Sequence, residues 1–238
     1  KVAGRETEGW KSPCSRCSVM RPVAHFFSVV FHPLFIVTYM TLILLWTNPF
    51  AFGWRHVTEA GTLLIIIAMT TITLPAIAVF MMKMLGWVSS FSLENQHERI
   101  GPYIVGGIMY LSLYLHLTRA ESFPVSLRIA VLGTIMGLWA CFFINNFTKV
   151  SVHAAGMGGL VAMVALTKLI FGYSEAQIGL FGGYNLIIPV DILLYGSILM
   201  AGAVGTSRLI LKAHVLREVY SGFVVGIVSV FAAYYILV

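Results

Sequence analysis

The chain carries two histidines and a glutamate whose types and spacing could do phosphoryl chemistry. His214 and Glu218 are four residues apart and therefore lie on one face of a helix, where the carboxylate can hold the imidazole in one tautomer. A histidine oriented in this way can act as a nucleophile, and a second histidine, His153, can protonate the leaving group. These residues predict a nucleophile, its orienting carboxylate and a general acid.

Several other polar residues could bind the phosphate itself. Arg99, Arg208 and Lys149 offer charged donors, and arginine suits the bidentate geometry of a phosphate. Ser151 and His153 open a predicted helix, so its free backbone N–H groups and the positive end of its dipole point at the same place. Together with the histidines, these groups indicate phosphoryl transfer.

The elements that must position these residues are membrane helices. Of the 238 residues, 59% are apolar and 10% are charged, whereas a soluble domain carries about 25% charged residues. Runs of about 20 apolar residues suit a bilayer core, and only helices satisfy the backbone there. We predict an all-α bundle of six to seven transmembrane helices over 23–238, after a polar, basic segment at 1–22. The predicted runs are 24–47, 61–85, 100–118, 128–147, 152–172, 186–207 and 219–238.

Seven crossings bring the chemistry-bearing loops to one face of the membrane. The loops near 87–99, 147–151 and 208–218 share that face with the N-terminus. It also holds eleven of the fifteen lysines and arginines, so the positive-inside rule predicts a cytoplasmic site in a multi-pass cell-membrane protein. Because the net charge of +6 follows this distribution, no nucleic-acid partner is expected. The eleven are Lys1, Arg5, Lys11, Arg16, Arg21, Lys83, Arg99, Lys149, Arg208, Lys212 and Arg217.

The third of these loops resembles a known signature. Ser207-Arg208, followed by five residues, His214, three residues and Glu218, is similar to the Ser-Arg-x5-His-x3-Asp motif of the type 2 phosphatidic acid phosphatase superfamily. The carboxylate is Glu rather than Asp in this chain. The resemblance implies that His214 is the nucleophile, that it forms a phosphohistidine, and that Glu218 orients it.

The other two loops resemble the remaining signatures of that superfamily more loosely. Ser151-Val152-His153 is similar to Pro-Ser-Gly-His, and Arg99 with Pro102 is similar to Lys-x6-Arg-Pro. The resemblance covers roughly 92–226. It implies that His153 is the general acid, that Arg99, Ser151 and Arg208 hold the phosphate, and that neither a metal nor another cofactor is needed.

Three functions remain open from the sequence. The first is a lipid phosphatase acting on a phosphomonoester or diphosphate of an amphiphile, with the phosphorylated lipid and the bilayer as partners. The second is a head-group phosphotransferase with the same residues, and the third is a non-catalytic transporter or scaffold. Polar groups gather at helix ends rather than at the midplane, which favours an enzyme over a transporter.

Other conspicuous residues have simpler interpretations. Lys168 and Asp191 are predicted to form a structural ion pair on the opposite face, and Cys14 and Cys17 form a lone Cys-x-x-Cys without a second pair. Glycines on the last three helices predict close helix packing or a homodimer interface. His97 is ambiguous, and four further histidines are expected to be interfacial: His25, His32, His56 and His116.

Overall fold

The computed structural model describes residues 15–89, 97–120, 123–179 and 185–238, and its side chains from residue 20 onward except those of His97 and Asn185. Cys14, the side chain of Cys17 and most of the loop before His97 therefore lie outside the described part. The helices are α1 (Ser15–Val30), α2 (Pro33–Thr47), α3 (Gly61–Ala68), α4 (Leu74–Met84), α5 (Ile100–Arg119), α6 (Val125–Asn145), α7 (Val152–Leu169), α8 (Val190–Ile210) and α9 (Leu216–Leu237). Two strands, β1 (Glu175–Gly179) and β2 (Asn185–Pro189), lie between α7 and α8.

The predicted all-α membrane bundle is confirmed. Within the described ranges, six helical segments are long and apolar enough to cross a membrane, and the bent pair of α1 and α2 would make a seventh. One of the six runs from Pro49 to Met84 and includes α3 and α4, which a π-helical turn at Met69–Thr73 joins. α1 begins at Ser15, so this helix extends across the predicted boundary at residue 22.

The predicted first run, 24–47, is wrong as a single helix. It consists of α1 and α2, whose axes differ by 61°. The cause is Pro33, which has no N–H to continue the helix and pushes the preceding residue into an extended conformation. His32 accordingly has φ −66° and ψ 142°, and its Nδ1 accepts a hydrogen bond from the Leu34 N–H at 3.4 Å.

The most enclosed helix of the bundle is α7. In its most apolar stretch 61% of the residues are buried, against 22–44% in the other five candidate spans. It packs against α9, α8, α2 and α6. The start of α7 carries Ser151 and His153, so the centre of the bundle positions these two residues.

The connection predicted near 173–185 also contains structure that the sequence did not indicate. β1 and β2 pair antiparallel, with Glu175 opposite Pro189 and Gly179 opposite Asn185. Beside this hairpin, Lys168 Nζ and Asp191 Oδ2 are 2.5 Å apart, which confirms the predicted ion pair between α7 and α8.

Candidate active site

The candidate site lies where the C-terminal end of α8 meets the N-terminal ends of α7 and α9. Ser151 caps α7, Arg208 is in the last turn of α8, and His214 lies in the turn before α9. Arg99 ends a short 3-10 helix that leads into α5. The predicted residues from three separate loops thus reach one end of the bundle.

His214 is held tightly by Glu218. Its Nδ1 is 2.7 Å from Glu218 Oε2, and only 5% of its side chain is exposed. Glu218 Oε2 also accepts a hydrogen bond from the Val215 N–H at 3.4 Å, so the same carboxylate caps the first turn of α9. Because Nδ1 donates to the carboxylate, Nε2 carries the lone pair that a nucleophile needs.

The turn that presents His214 is unusually tight. Lys212 adopts a left-handed conformation, with φ 53°, and the Ala213 N–H donates to the Arg208 carbonyl at 3.1 Å. This geometry ends α8 and folds the chain back over its last turn. The five residues between Arg208 and His214 therefore place the imidazole beside the end of α8 that carries the Arg208 guanidinium.

The surroundings of His214 favour its neutral form. Burial lowers the pKa of His214 below its ordinary value of 6.5, and the charges of Arg208 and Arg99 lower it further. The hydrogen bond and charge of Glu218 act in the opposite direction without cancelling the shift. His214 is thus an uncharged imidazole at neutral pH, as nucleophilic attack requires.

Ser151 is fully buried at the start of α7. Its N–H donates to the Glu218 carbonyl at 3.1 Å, which ties α7 directly to the first turn of α9. Its hydroxyl oxygen accepts the Ala154 N–H at 3.4 Å. The structure therefore gives the Ser151 oxygen a capping role that the sequence did not assign, while the hydroxyl hydrogen can still be donated to a ligand.

Ser28 of α1 connects His153 with Arg208. The Ser28 carbonyl accepts a hydrogen bond from His153 Nε2 at 3.1 Å, and its hydroxyl oxygen accepts one from Arg208 Nη1 at 3.4 Å. Because a carbonyl can only accept, Nε2 of His153 must carry a proton. His153 also lies close enough to Arg208 and His214 for their charges to act on its ring.

His32 is a site residue that sequence reasoning assigned to the interface. Its ring stands edge-on to that of His153, with the centroids 5.2 Å apart and the planes at 87°. The sequence signal that could have revealed this role was the His32-Pro33 pair, because a proline predicts a helix break. That break lies at the same membrane depth as the polar residues His153 and Arg208. Ser28 carries no comparable signal, because it contributes a main-chain carbonyl and an ordinary serine hydroxyl.

The cationic residues differ in their placement. The Nε of Arg208 is buried without a hydrogen-bond partner among the described residues, so it can donate to a ligand. Arg99 is half-buried, and its charge acts on both Arg208 and His214. Lys149 is exposed between α6 and α7, and the structure does not bring it into contact with the other predicted site residues.

Glycines set the distance between α7 and α9. A Cβ at Gly222 would overlap the Ser151 carbonyl oxygen, and a Cβ at Gly226 would overlap that of Ala155. The two backbones therefore touch directly, as small residues allow in membrane bundles. This contact fixes Ser151 and His153 relative to Glu218.

No group of three or more His, Cys, Asp or Glu side chains in the described part of the chain is arranged to hold a metal ion. Comparisons with protein-family models, with curated proteins and with solved structures gave no match.

That arrangement suits an incoming anion. Two arginines, an oriented neutral imidazole and a serine hydroxyl lie around one end of α8, and a second histidine lies within electrostatic reach. The helix starts of α7 and α9 add the positive ends of their dipoles. A phosphate bound there would lie against the lone pair of a neutral histidine.

Proposed function

We propose that the protein is a membrane lipid phosphatase, a divergent member of the type 2 phosphatidic acid phosphatase superfamily. It hydrolyses a phosphomonoester or diphosphate of an amphiphile through a phosphohistidine. The observation that carries the proposal is the 2.7 Å contact between His214 Nδ1 and Glu218 Oε2, which leaves Nε2 free as a nucleophile beside Arg208.

The reaction has two steps. His214 Nε2 attacks phosphorus, and the bond from phosphorus to the lipid oxygen breaks. His153 in its cationic form, with a proton on each ring nitrogen, gives the Nδ1 proton to that oxygen and keeps the Nε2 proton on the Ser28 carbonyl. Water then attacks the phosphohistidine, and His153 takes a proton from it. The bond to Nε2 breaks, which regenerates His214 and releases inorganic phosphate. Arg99, Arg208 and the Ser151 hydroxyl stabilise the phosphoryl oxygens as charge builds on them.

The chain departs from the superfamily pattern beside Ser151, and the departures have a structural use. Val150 and Val152 stand where the family has Pro and Gly. Val150 is fully buried and packs with Tyr103 and Cys141, and Val152 packs against the same cluster. An apolar cluster can thus hold Ser151 in place without the backbone restraint of a proline.

The decisive experiment measures phosphate release by the purified protein in detergent, without added metal, across a panel of lipid phosphates and diphosphates. We expect turnover by the wild type and a loss of more than about 10⁴-fold in His214→Ala. A rapid-quench reaction with ³²P-labelled substrate should trap an acid-labile phosphoenzyme that His214→Ala lacks. No phosphate release from any member of the panel would refute the proposal, and normal turnover by His214→Ala would refute its nucleophile.

The site face is proposed to be cytoplasmic, because the lysines and arginines are concentrated there. Lys149 is exposed on this face and Cys141 is buried. A Lys149→Cys variant that also carries Cys14→Ser and Cys17→Ser should resist a membrane-impermeant maleimide in intact cells and react after the cells are opened. Labelling in intact cells would place the site on the outer face.

A further inference from the structure

An apolar groove runs along the bundle between α2, α7 and α8. Its walls include Tyr39 and Trp46 of α2, Leu160 of α7 and Met200 of α8. Phe31 lies at the end of the groove that is nearest to the candidate site. The groove is open along one side and has a volume of about 250 Å³. It lies within membrane-spanning helices, so hydrocarbon is the medium around it.

Each wall of this groove leads to a residue of the candidate site. Phe31 immediately precedes His32, whose ring contacts that of His153. On α7, Leu160 lies seven residues after His153, which is about two helical turns on the same face. On α8, Met200 and Arg208 are eight residues apart, which is about 12 Å along the helix and about 80° around it. The groove therefore lies next to the site at Phe31, and its walls on α7 and α8 begin about 10 Å or more from His153 and Arg208.

We propose that this groove binds the single hydrocarbon chain of the substrate while its phosphate lies at Arg208 and His214. This inference rests on the proposed function and narrows its substrate class to phosphates or diphosphates of single-chain amphiphiles. The groove volume of about 250 Å³ is below the range of about 300–1,000 Å³ of pockets for drug-sized ligands, so it has room for part of one chain and not for two chains side by side. Prenyl and linear alkyl chains both satisfy this chemistry.

Two glycines on α8 offer a matched pair of variants. Gly196 lines the groove, and a Cβ placed there would meet no atom within 4 Å. A Cβ at Gly202 also meets nothing within 4 Å, but Gly202 is not part of the groove wall. Phenylalanine at Gly196 should therefore fill the groove without disturbing the helix packing, and phenylalanine at Gly202 should leave the groove open.

The experiment compares wild type, Gly196→Phe and Gly202→Phe on butyl phosphate, hexadecyl phosphate, farnesyl phosphate and phosphatidate in the same detergent. In the wild type, hexadecyl and farnesyl phosphate should have higher kcat/KM than phosphatidate. Gly196→Phe should lower kcat/KM for the two long single-chain substrates by about tenfold or more and for butyl phosphate by less than about twofold. Gly202→Phe should match the wild type. A loss confined to one of the two long substrates would identify which chain type the groove accepts.

A binding measurement separates failure of the groove from failure of the proposed function. Trp46 lines the groove, so hexadecyl phosphate brominated along its chain should quench Trp46 fluorescence, identified as the part lost in Trp46→Phe. Gly196→Phe should abolish that quenching. Unchanged long-chain kinetics and quenching in Gly196→Phe would overturn the groove while leaving the phosphatase intact. Equal quenching by a brominated alkane without phosphate would show bilayer lipid as the only occupant and also overturn it.

Discussion

The Ser28 carbonyl accepts a hydrogen bond from His153 Nε2 at 3.1 Å, although the two residues are 125 positions apart in the chain. This contact leaves Nδ1 as the nitrogen of His153 that can exchange a proton with substrate or water. The two site histidines are thus held through different atoms. A main-chain carbonyl holds Nε2 of His153, whereas the Glu218 carboxylate holds Nδ1 of His214.

His32 should matter for turnover through its ring contact with His153. Replacing His32 by Asn keeps a good N-cap for α2 but removes the ring, whereas His32→Phe keeps a ring and loses the cap. An edge-to-face aromatic pair stabilises by about 0.5–1.5 kcal/mol. Steady-state phosphate release should therefore fall by roughly two- to tenfold in His32→Asn and stay near wild type in His32→Phe.

His25→Ala is the matched control for this experiment, because His25 is exposed on α1, on the other side of the bend from His32. Its activity should equal that of the wild type. Equal losses in His32→Asn and His32→Phe would show that an imidazole nitrogen of His32 matters, and not the ring contact.

The acid limb of the pH profile should report His214. Because the nucleophile must be neutral and its pKa is lowered from 6.5, kcat/KM should fall only as the pH drops through a midpoint below 6.5. Glu218→Gln removes a charge that raises this pKa, so its acid limb should move to still lower pH. The maximal rate of this variant should fall by roughly 10²–10⁴-fold, because the imidazole loses the negative carboxylate that orients and stabilises it.

The pH profile of kcat/KM in both proteins tests this prediction directly. An acid limb that moves upward in Glu218→Gln would contradict the sign of the carboxylate contribution. Arg217→Gln is a suitable control, since it neutralises the adjacent, exposed side chain without touching the imidazole.

The Lys168–Asp191 pair should affect stability and not chemistry. Both side chains are partly exposed, at 28% and 43%, so breaking the pair with Asp191→Asn should cost only about 1 kcal/mol. A lower thermal unfolding temperature in detergent, with an unchanged kcat, is the expected result. In a double-mutant cycle, Lys168→Met should lower the free energy of unfolding less in the Asp191→Asn background than in the wild type. A large drop in kcat would instead connect this ion pair to the site.

The contact between α7 and α9 should be intolerant of any side chain. Gly226→Ala places a methyl group on the Ala155 carbonyl oxygen, and overpacking of this kind costs about 1–3 kcal/mol. Because the helices must separate, kcat should fall together with the thermal stability, although Gly226 lies two turns from Glu218. In Gly202→Ala the added methyl group has no atom within 4 Å, so this variant should retain the wild-type kcat and thermal stability. Normal activity in Gly226→Ala would show that the helix spacing does not control the site.

The sequence predicted the bundle well because bilayer thickness dictates the length of its apolar runs. It also brought Arg99, Ser151 and His214 to one face through the alternation of crossings alone. It did not predict the bend at His32, because the run 24–47 has the length and apolar character of a single span, and these outweigh the signal of its one proline. The β1–β2 hairpin was missed for a different reason, because its short strands carry no long-range periodicity.

The role of Ser28 was beyond sequence reasoning for a physical reason. Its two contacts use a main-chain carbonyl and a hydroxyl, and neither group distinguishes this serine from the others in the chain. Lys149 is the converse case. A cation next to a motif is predicted to bind phosphate, and its side chain is exposed between α6 and α7, so this role stays a prediction.

The bend between α1 and α2 has a consequence for biosynthesis. Ser28 and His32 leave the ribosome before Arg208, which follows Ser28 by 180 positions, yet Ser28 contacts Arg208. α1 can therefore make this contact only after α8 has been inserted. A nascent chain that lacks α8 would already contain His153 but could not close this end of the bundle. Activity should consequently emerge only after α8 and the turn that carries His214 have been synthesised and inserted.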